Sequence, residues 1–424
     1  MNLDAPRAAF RRELGLPDRG DGRIVMTGHQ CSLWHAGILA KYLACGRMVP
    51  ADFDHAAWLW VDQDTDETHT ARVPVRTHGV LSASAWALKP APGADIPGAS
   101  MPAFNPAPFD AEPALPQVQA GIERTTQALS RHVEKPNAAR QFAAALTDLM
   151  SPLVPAAPAV FATDFIRTAL GAALLHLMAA DPGACAKAYN CAVAAHPDAN
   201  TAALHSDGGD TELPLWRLTC GKPRERVHAS TLAHTDPSTL APRALLMTGM
   251  ARLAACDLFV HGTGGGGVRG YDTITEAWFR DWLGLPLAPT IVVTADLRLP
   301  LHTRDVSHRD VAYARWRAHH ARHDPAFLHD PAAAARKAEL LGAVRAAKSS
   351  CTDPKPHYAE MHGLLESVRQ RHATELAGLR READETEALF REGNIAADRT
   401  WAFVFHEPAA LRAMSMRVNP APQT

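Results

Sequence analysis

The sequence predicts an α/β protein built on a parallel β-sheet, and three observations predict it. Short runs that are apolar throughout, such as Ala57-Trp58-Leu59-Trp60-Val61, recur along the first three-quarters of the chain with helical stretches between them. Strands separated by helices of about 10–15 residues pair in parallel through right-handed crossovers. The runs do not alternate apolar with polar residues, as befits strands covered on both faces. Several of them end in polar or glycine-rich strings, which places those strings at the carboxyl edge of the sheet, where open α/β folds bind ligands.

Taken in order, residues 24–26 (Ile-Val-Met) form the first strand, which breaks at Thr27-Gly28. The polar pair His29-Gln30 follows, then a helix over 35–47 with Leu39, Tyr42 and Leu43 on its apolar side. Residues 57–61 form the next strand and 72–76 a further short one. Proline recurs between 88 and 116, so regular structure is not expected there. Helices over 117–133 and 138–150 come next. The strand–helix pattern resumes at 159–161 with 164–180, at 243–247 with 250–255, at 258–261 with 271–283, and at 290–294.

From Pro331 the pattern is helical only. Met361, Leu365, Val368, Leu376, Leu379, Ala383 and Leu389 recur mostly three or four apart over 355–390, with His372 interrupting the stripe. Residues 332–348 would form a second arm and Asp353-Pro354-Lys355-Pro356 the turn between them. A coiled-coil hairpin and a long helix packed on the sheet both satisfy this spacing. Residues 401–405 (Trp-Ala-Phe-Val-Phe) read as a strand-like anchor, and the proline-containing end after them as a fraying tail.

Composition narrows the function classes. A chain of 424 residues with 47% apolar and 21% charged side chains has material for two or three lobes. The net charge of −2, without a long basic run, gives no general nucleic-acid or membrane-surface footprint. The seven cysteines are odd in number and contain no C-x-x-C, so reduced thiols are expected rather than disulfides or a zinc ribbon. The first residues are charged and lack the apolar core of a secretory signal, and no apolar run approaches the ~18 residues of a membrane span. A cytoplasmic protein acting on small molecules is the expectation.

Three constellations carry chemistry. The acidic string Asp62-Gln63-Asp64-Thr65-Asp66-Glu67 imitates the opening of a calcium loop, but Glu67 stands where glycine is needed and Val73 where a bidentate glutamate belongs. It is left as a solvated loop or as a holder of Mg²⁺, an ammonium group or a ribose. The run His261-Gly262-Thr263-Gly264-Gly265-Gly266-Gly267 matches G-x-G-x-x-G through Gly262, Gly264 and Gly267. Consecutive glycines make that match easy, and no Lys-Ser or Lys-Thr follows. Asp296, the acid nearest to the ribose position, comes 29 residues after Gly267 and disfavours an NAD site. The loop is a flexible connector or a place where phosphate or carboxylate meets backbone N–H groups. Finally, His302, His308, His319, His320, His323 and His329 crowd one region, but no H-E-x-x-H occurs and scattered surface histidines account for them. No G-x-S-x-G supports serine hydrolysis.

Taken together, three blocks resemble the cysteine-adding enzyme family of bacillithiol biosynthesis. The family's T-G-Q-Q-x-G-L stands here as Thr27-Gly28-His29-Gln30-Cys31-Ser32-Leu33, with Gly37 and Lys41 at its G-P-L-x-x-x-K continuation. Its S-E-D-H-D is Asp62-Gln63-Asp64-Thr65-Asp66. Its P-N-V-L-L-R-P and G-G-P-G-E blocks correspond to residues 242–248 and 261–265, with Tyr271 after them. The chain reads as a divergent and shortened member, departing at His29, Thr65 and Met247.

The resemblance implies a Rossmann-like core of the nucleotidyl-transferase and class I synthetase type. Its parts would be residues 1–76 and 241–300, with a connecting insert over 77–240, a coiled-coil arm over 301–400 that can dimerise, and a C-terminal anchor over 401–424. It also implies a ligase joining a cysteine-like amino acid to a small amine or sugar acceptor, with ATP and Mg²⁺ as cofactors. In that reading His29, Thr27 and Gln30 contact the phosphates or the carboxylate being activated, and Asp64 and Asp66 orient the amino substrate or Mg²⁺. Gly28, Gly37, Lys41, Gly262, Gly264 and Gly265 bind nucleotide or acceptor, with Tyr271 and Asp272 opening the helix behind. The alternative is a catalytically degenerate binding or assembly protein on the same fold.

Overall fold

The computed structural model describes residues 3–49, 51–65, 69–89, 95–207, 209–267 and 270–418. They divide into two compact units: Met1–Arg76, Ala83–Leu299 and Arg399–Thr424 form one, Thr77–Ser82 and Pro300–Asp398 the other. The strands are β1 (Ile24–Gln30), β2 (His55–Val61), β3 (Thr70–Thr77), β4 (Val80–Ala87), β5 (Ala159–Phe161), β6 (Ser206–Asp207), β7 (Asp210–Arg217), β8 (Glu225–His228), β9 (Leu240–Pro242), β10 (Leu258–His261) and β11 (Thr290–Val292).

The first unit is α/β. Its central sheet has the order β11-β10-β1-β2-β5, with every neighbouring pair parallel. These five strands are the apolar runs expected at 24–26, 57–61, 159–161, 258–261 and 290–294. Side chains alternate between the two faces as a pleated strand requires. Ile24, Met26, Leu59 and Val160 enter a core shared with the helices Ala169–Ala180, Pro182–Ala195 and Asp272–Leu283. On the opposite face Trp58 and Trp60 meet the helix Ala36–Met48, with Tyr42 stacked on Trp34 at 4.8 Å and Trp34 on Trp60 at 5.6 Å.

Several expectations are corrected. The first strand does not break at Thr27-Gly28 but runs on to Gln30, pairing with β2 along its whole length. Gly28 is there for close approach rather than for a turn: a Cβ would lie 2.5 Å from the Leu59 carbonyl oxygen. Of residues 243–247, Arg243 is an extended N-cap and the rest belong to the helix Ala244–Met250, which is buried on all sides from Leu245 to Met250. A short apolar run carries no information about its period. The helix continues as a π-turn, Ala251–Ala255. Residues 401–405 do anchor the tail, each of them buried, but Phe403–Phe405 is a 3₁₀ turn whose Phe403 N–H donates to the Trp34 carbonyl at 2.6 Å.

The strand expected at 72–76 belongs to an antiparallel hairpin, β3 with β4. A second antiparallel element, β7 with β6, β8 and β9 on its two sides, lies in a stretch where no strand was expected. In the second unit the stripe over 355–390 is not one arm. It divides at His372 into Lys355–Arg371 and Ala373–Ala397. Pro331–Ser349 packs against the first, joined by Arg336–Glu360, and His308–Ala321 against the second, joined by Arg317–Glu382 at 2.6 Å. Among the described residues no single helix is long and apolar enough to cross a membrane.

Candidate functional site

The carboxyl ends of β1, β2 and β10 open on one cavity of about 360 Å³. His29 and Gln30 reach it from the last residues of β1, Asp64 from the segment after β2, and Gly262, Gly264 and Gly265 from the loop after β10. Gly28, Gly37, Lys41 and Tyr271 also line it. The structure therefore brings ten of the expected site residues to one crevice. Asp66 lies outside the described residues.

Two expected residues are elsewhere. Thr27 is fully buried in the sheet, and its hydroxyl donates to the Val260 carbonyl of β10 at 2.8 Å, so it clips two strands together. Asp272 does not line the cavity; it is buried behind it, bonded to Arg252 Nη1 at 2.7 Å.

Lys41 is the dominant electrostatic feature. It is 4% exposed, and among the described residues its Nζ has one hydrogen-bond partner, the Gly28 carbonyl at 2.7 Å. Burial lowers its pKa from 10.5 to about 8, so at neutral pH it is a cation held in a nearly dry wall. His29, which lines the same cavity, is held well below the usual imidazole range, first by burial and then by Lys41 and His35. It is a neutral imidazole at physiological pH, edge-on to Trp34 at 5.7 Å, and the positive charge at this end of the cavity resides on Lys41.

The acidic side is already engaged. Asp64 accepts from Gln30 Nε2 at 3.1 Å, from its neighbour Thr65 N–H at 2.8 Å and from Arg224 at 2.9 Å. Gln63 is buried and ties this segment to the next element, donating to the Pro242 carbonyl at 3.1 Å and to Met247 Sδ at 3.4 Å. Asp62 is buried against Thr163, whose N–H and hydroxyl donate to it at 3.0 and 2.6 Å. Burial still pushes its carboxyl up to about 6 against those bonds.

The glycine loop divides into two kinds of position. At Gly265 a Cβ would fall 2.4 Å from His261 Nδ1, and at Gly270 it would fall 2.2 Å from the Gly265 carbonyl. Gly262 and Gly264 face the cavity with room to spare: a Cβ on the first would meet only Lys41 Cδ at 3.7 Å, and one on the second nothing within 4 Å. Tyr271 opens the following helix; burial, with the nearby charges of Asp272 and Asp64, pushes its hydroxyl up to about 12.

Sequence reading missed His35, Met247, Thr248, His261 and Thr294, all of which line the cavity. His35 caps the helix Ala36–Met48, its Nδ1 accepting from Gly37 N–H at 3.1 Å. Histidine is outside the usual Asn, Asp, Ser and Thr caps, so no cap signal marks His35 in the sequence, while Met247 ends the segment read as a strand and Thr248 follows it. A second chamber, lined in part by Arg224, Arg243 and Trp216, adjoins the first across Asp64 and Tyr271. The chain matches no protein-family model and no curated protein.

Proposed function

We propose that the chain is a ligase-like enzyme that activates the carboxylate of a cysteine-like amino acid and joins it to a small amine or sugar acceptor, as a divergent member of the bacillithiol cysteine-adding family. On this reading the parallel sheet is a Rossmann-like core of the nucleotidyl-transferase type. The paired helices of the second unit correspond to a coiled-coil arm able to form a homodimer, and the protein acts in the cytoplasm on small molecules.

One observation carries the reading: a buried lysine, without a carboxylate partner among the described residues, in a crevice floored by a glycine loop. A buried cation is costly unless an opposite charge compensates it. A phosphate or carboxylate beside Lys41 supplies that charge, and the open edges of Gly262 and Gly264 let it approach the backbone N–H groups. Neutral His29 offers a hydrogen bond to the same group without adding charge. A cavity of about 360 Å³ is of the size that small-molecule sites have.

On this reading ATP is a substrate, its phosphates placed beside Lys41 and the glycine loop. Among the described residues Asp64 is paired with Arg224 and no cluster of three acidic, histidine or cysteine ligands occurs. No step is routed through a metal.

The test is calorimetry of the full chain with ATP and with cysteine, followed by cysteine-dependent exchange of pyrophosphate into ATP. Binding of both with measurable exchange supports the ligase. Binding of neither overturns it. The Asp64–Arg224 pair at 2.9 Å favours the second reading, a binding or assembly protein, because it occupies the carboxylate that would orient the amine. Binding of one ligand without exchange would select that reading.

A further inference from the structure

Asp272 has work other than touching a ligand. Its Oδ2 accepts from Arg252 Nη1 at 2.7 Å and stands 3.1 Å from Nε2 of His261, and all three side chains are 5% exposed or less. Arg252 projects from the π-turn and is fixed a second time by donating to the Ala288 carbonyl at 2.7 Å and a third time by Glu276. A guanidinium thus holds a carboxylate, and the carboxylate faces one nitrogen of an imidazole whose ring lines the cavity.

We propose that His261 is the proton-accepting group of the cavity and that Asp272, backed by Arg252, is the positioning residue that fixes its tautomer. The carboxylate oxygen is in charge contact with Nε2 at 3.1 Å, out of line for a hydrogen bond, and its negative charge favours the ring hydrogen on that nitrogen, which leaves the Nδ1 lone pair free. Gly265 stands at that Nδ1 edge, where any Cβ would come within 2.4 Å of the nitrogen, so glycine alone leaves the edge uncovered. The other nitrogen bases of the cavity have different tasks: His29 is held neutral by burial, Lys41 supplies charge, and His35 caps its helix through Nδ1.

The inference rests on the ligase reading for the step it serves. There the acceptor's amine nitrogen attacks the carboxyl carbon of the amino acid, activated by a nucleoside triphosphate. A C–N bond forms, and the C–O bond to the phosphate-bearing leaving group breaks with its electron pair staying on that oxygen. The proton shed by nitrogen goes to Nδ1 of His261, and the imidazolium that results faces the Asp272 carboxylate. General-base assistance of this kind is worth about 10²–10⁴-fold in rate.

The test is nitrogen NMR of the full chain labelled in histidine, with the His261 signals assigned by their loss in His261→Ala. The expected spectrum has Nε2 protonated and Nδ1 bare, changing to a mixture of tautomers in Asp272→Asn. Gly265→Ala, which leaves the carboxylate in place, should move the Nδ1 signal and covers the case in which Asp272→Asn does not fold. In turnover assays His261→Ala should lose amine coupling about 100-fold more than pyrophosphate exchange. A protonated Nδ1 in the unaltered protein, or a tautomer indifferent to both substitutions, overturns the proposal. Absence of exchange in the unaltered protein defeats the ligase reading instead, and the tautomer measurement still decides the role of Asp272.

Discussion

Lys41 donates its ammonium to the carbonyl of Gly28, 2.7 Å away, so the helix Ala36–Met48 delivers a cation onto the strand end where the cavity begins. The contact depends on β1 continuing past Gly28, because only an extended backbone turns that carbonyl toward the helix.

Lys41→Met should therefore act in opposite directions on stability and on binding. Folding lowers the lysine's pKa from 10.5 to about 8, so the unfolded chain binds the extra proton over that interval. The penalty for burying the charged form is complete below pH 8 and is relieved as pH rises from about 8 to 10.5. A shift of this size corresponds to roughly 3 kcal/mol, so Lys41→Met should stabilise the fold at neutral pH by about 1–3 kcal/mol. Affinity for pyrophosphate should fall at least tenfold in the same variant, and in the unaltered protein it should decline as pH passes 8. Urea midpoints and calorimetry, compared at pH 7 and pH 9, read both effects.

The glycine loop offers a sharper contrast. A Cβ at Gly264 would have nothing within 4 Å, whereas one at Gly265 would press on the His261 ring. Gly264→Ala should leave the melting temperature within about a degree and weaken ligand binding by filling the crevice. Gly265→Ala should destabilise by about 1–3 kcal/mol, the usual range for overpacking. Equal melting temperatures for the two variants would contradict this division.

How much of this was readable in the sequence depends on which signal each element leaves. The five strands of the parallel sheet declared themselves because each is a short apolar run ended by polar or breaking residues. The glycine loop and the His29 and Asp64 positions were readable for the same reason, since they follow such runs. Residues 243–247 look identical in composition to a buried strand, and only packing against the core makes them a helix. The Asp272–His261 relation was invisible because Arg252, which fixes Asp272, comes from a π-turn that no spacing rule foresees. Thr27 looked like a site residue because it opens the Thr27-Gly28-His29-Gln30 block, but it lies where β1 is still paired with β10, and its hydroxyl donates to the Val260 carbonyl there.

Asp62 should make the fold less stable as pH rises through the weakly acidic range. Burial raises its carboxyl from 3.8 to about 6, so the folded chain holds the proton more tightly than the unfolded one. The stabilisation is fully present below pH 3.8 and is lost as pH rises through about 6, with an upper size of roughly 3 kcal/mol. Asp62→Asn should remove this component while keeping an acceptor for the Thr163 N–H. The difference in unfolding free energy between the two proteins, measured from pH 4 to 7, should change steadily up to about pH 6 and level off above it. A difference independent of pH would refute the assignment.

Arg252 should be among the most sensitive positions of the first unit. Its guanidinium is 1% exposed and compensates Asp272, whose carboxylate is 5% exposed. Removing one partner of a buried pair strands the other charge, at about 3–5 kcal/mol, while replacing both by apolar groups often costs far less. Arg252→Met should accordingly destabilise by about that amount. The double variant Arg252→Met with Asp272→Leu should regain much of the loss. Glu276, half exposed, gives up its partner to solvent in either case and should contribute little. A double-mutant cycle in urea separates the outcomes: additive losses would mean that the two residues act independently and that Asp272 is held by the glycine loop alone. Strong coupling would mean that the π-turn exists to put a guanidinium behind the carboxylate that orients His261.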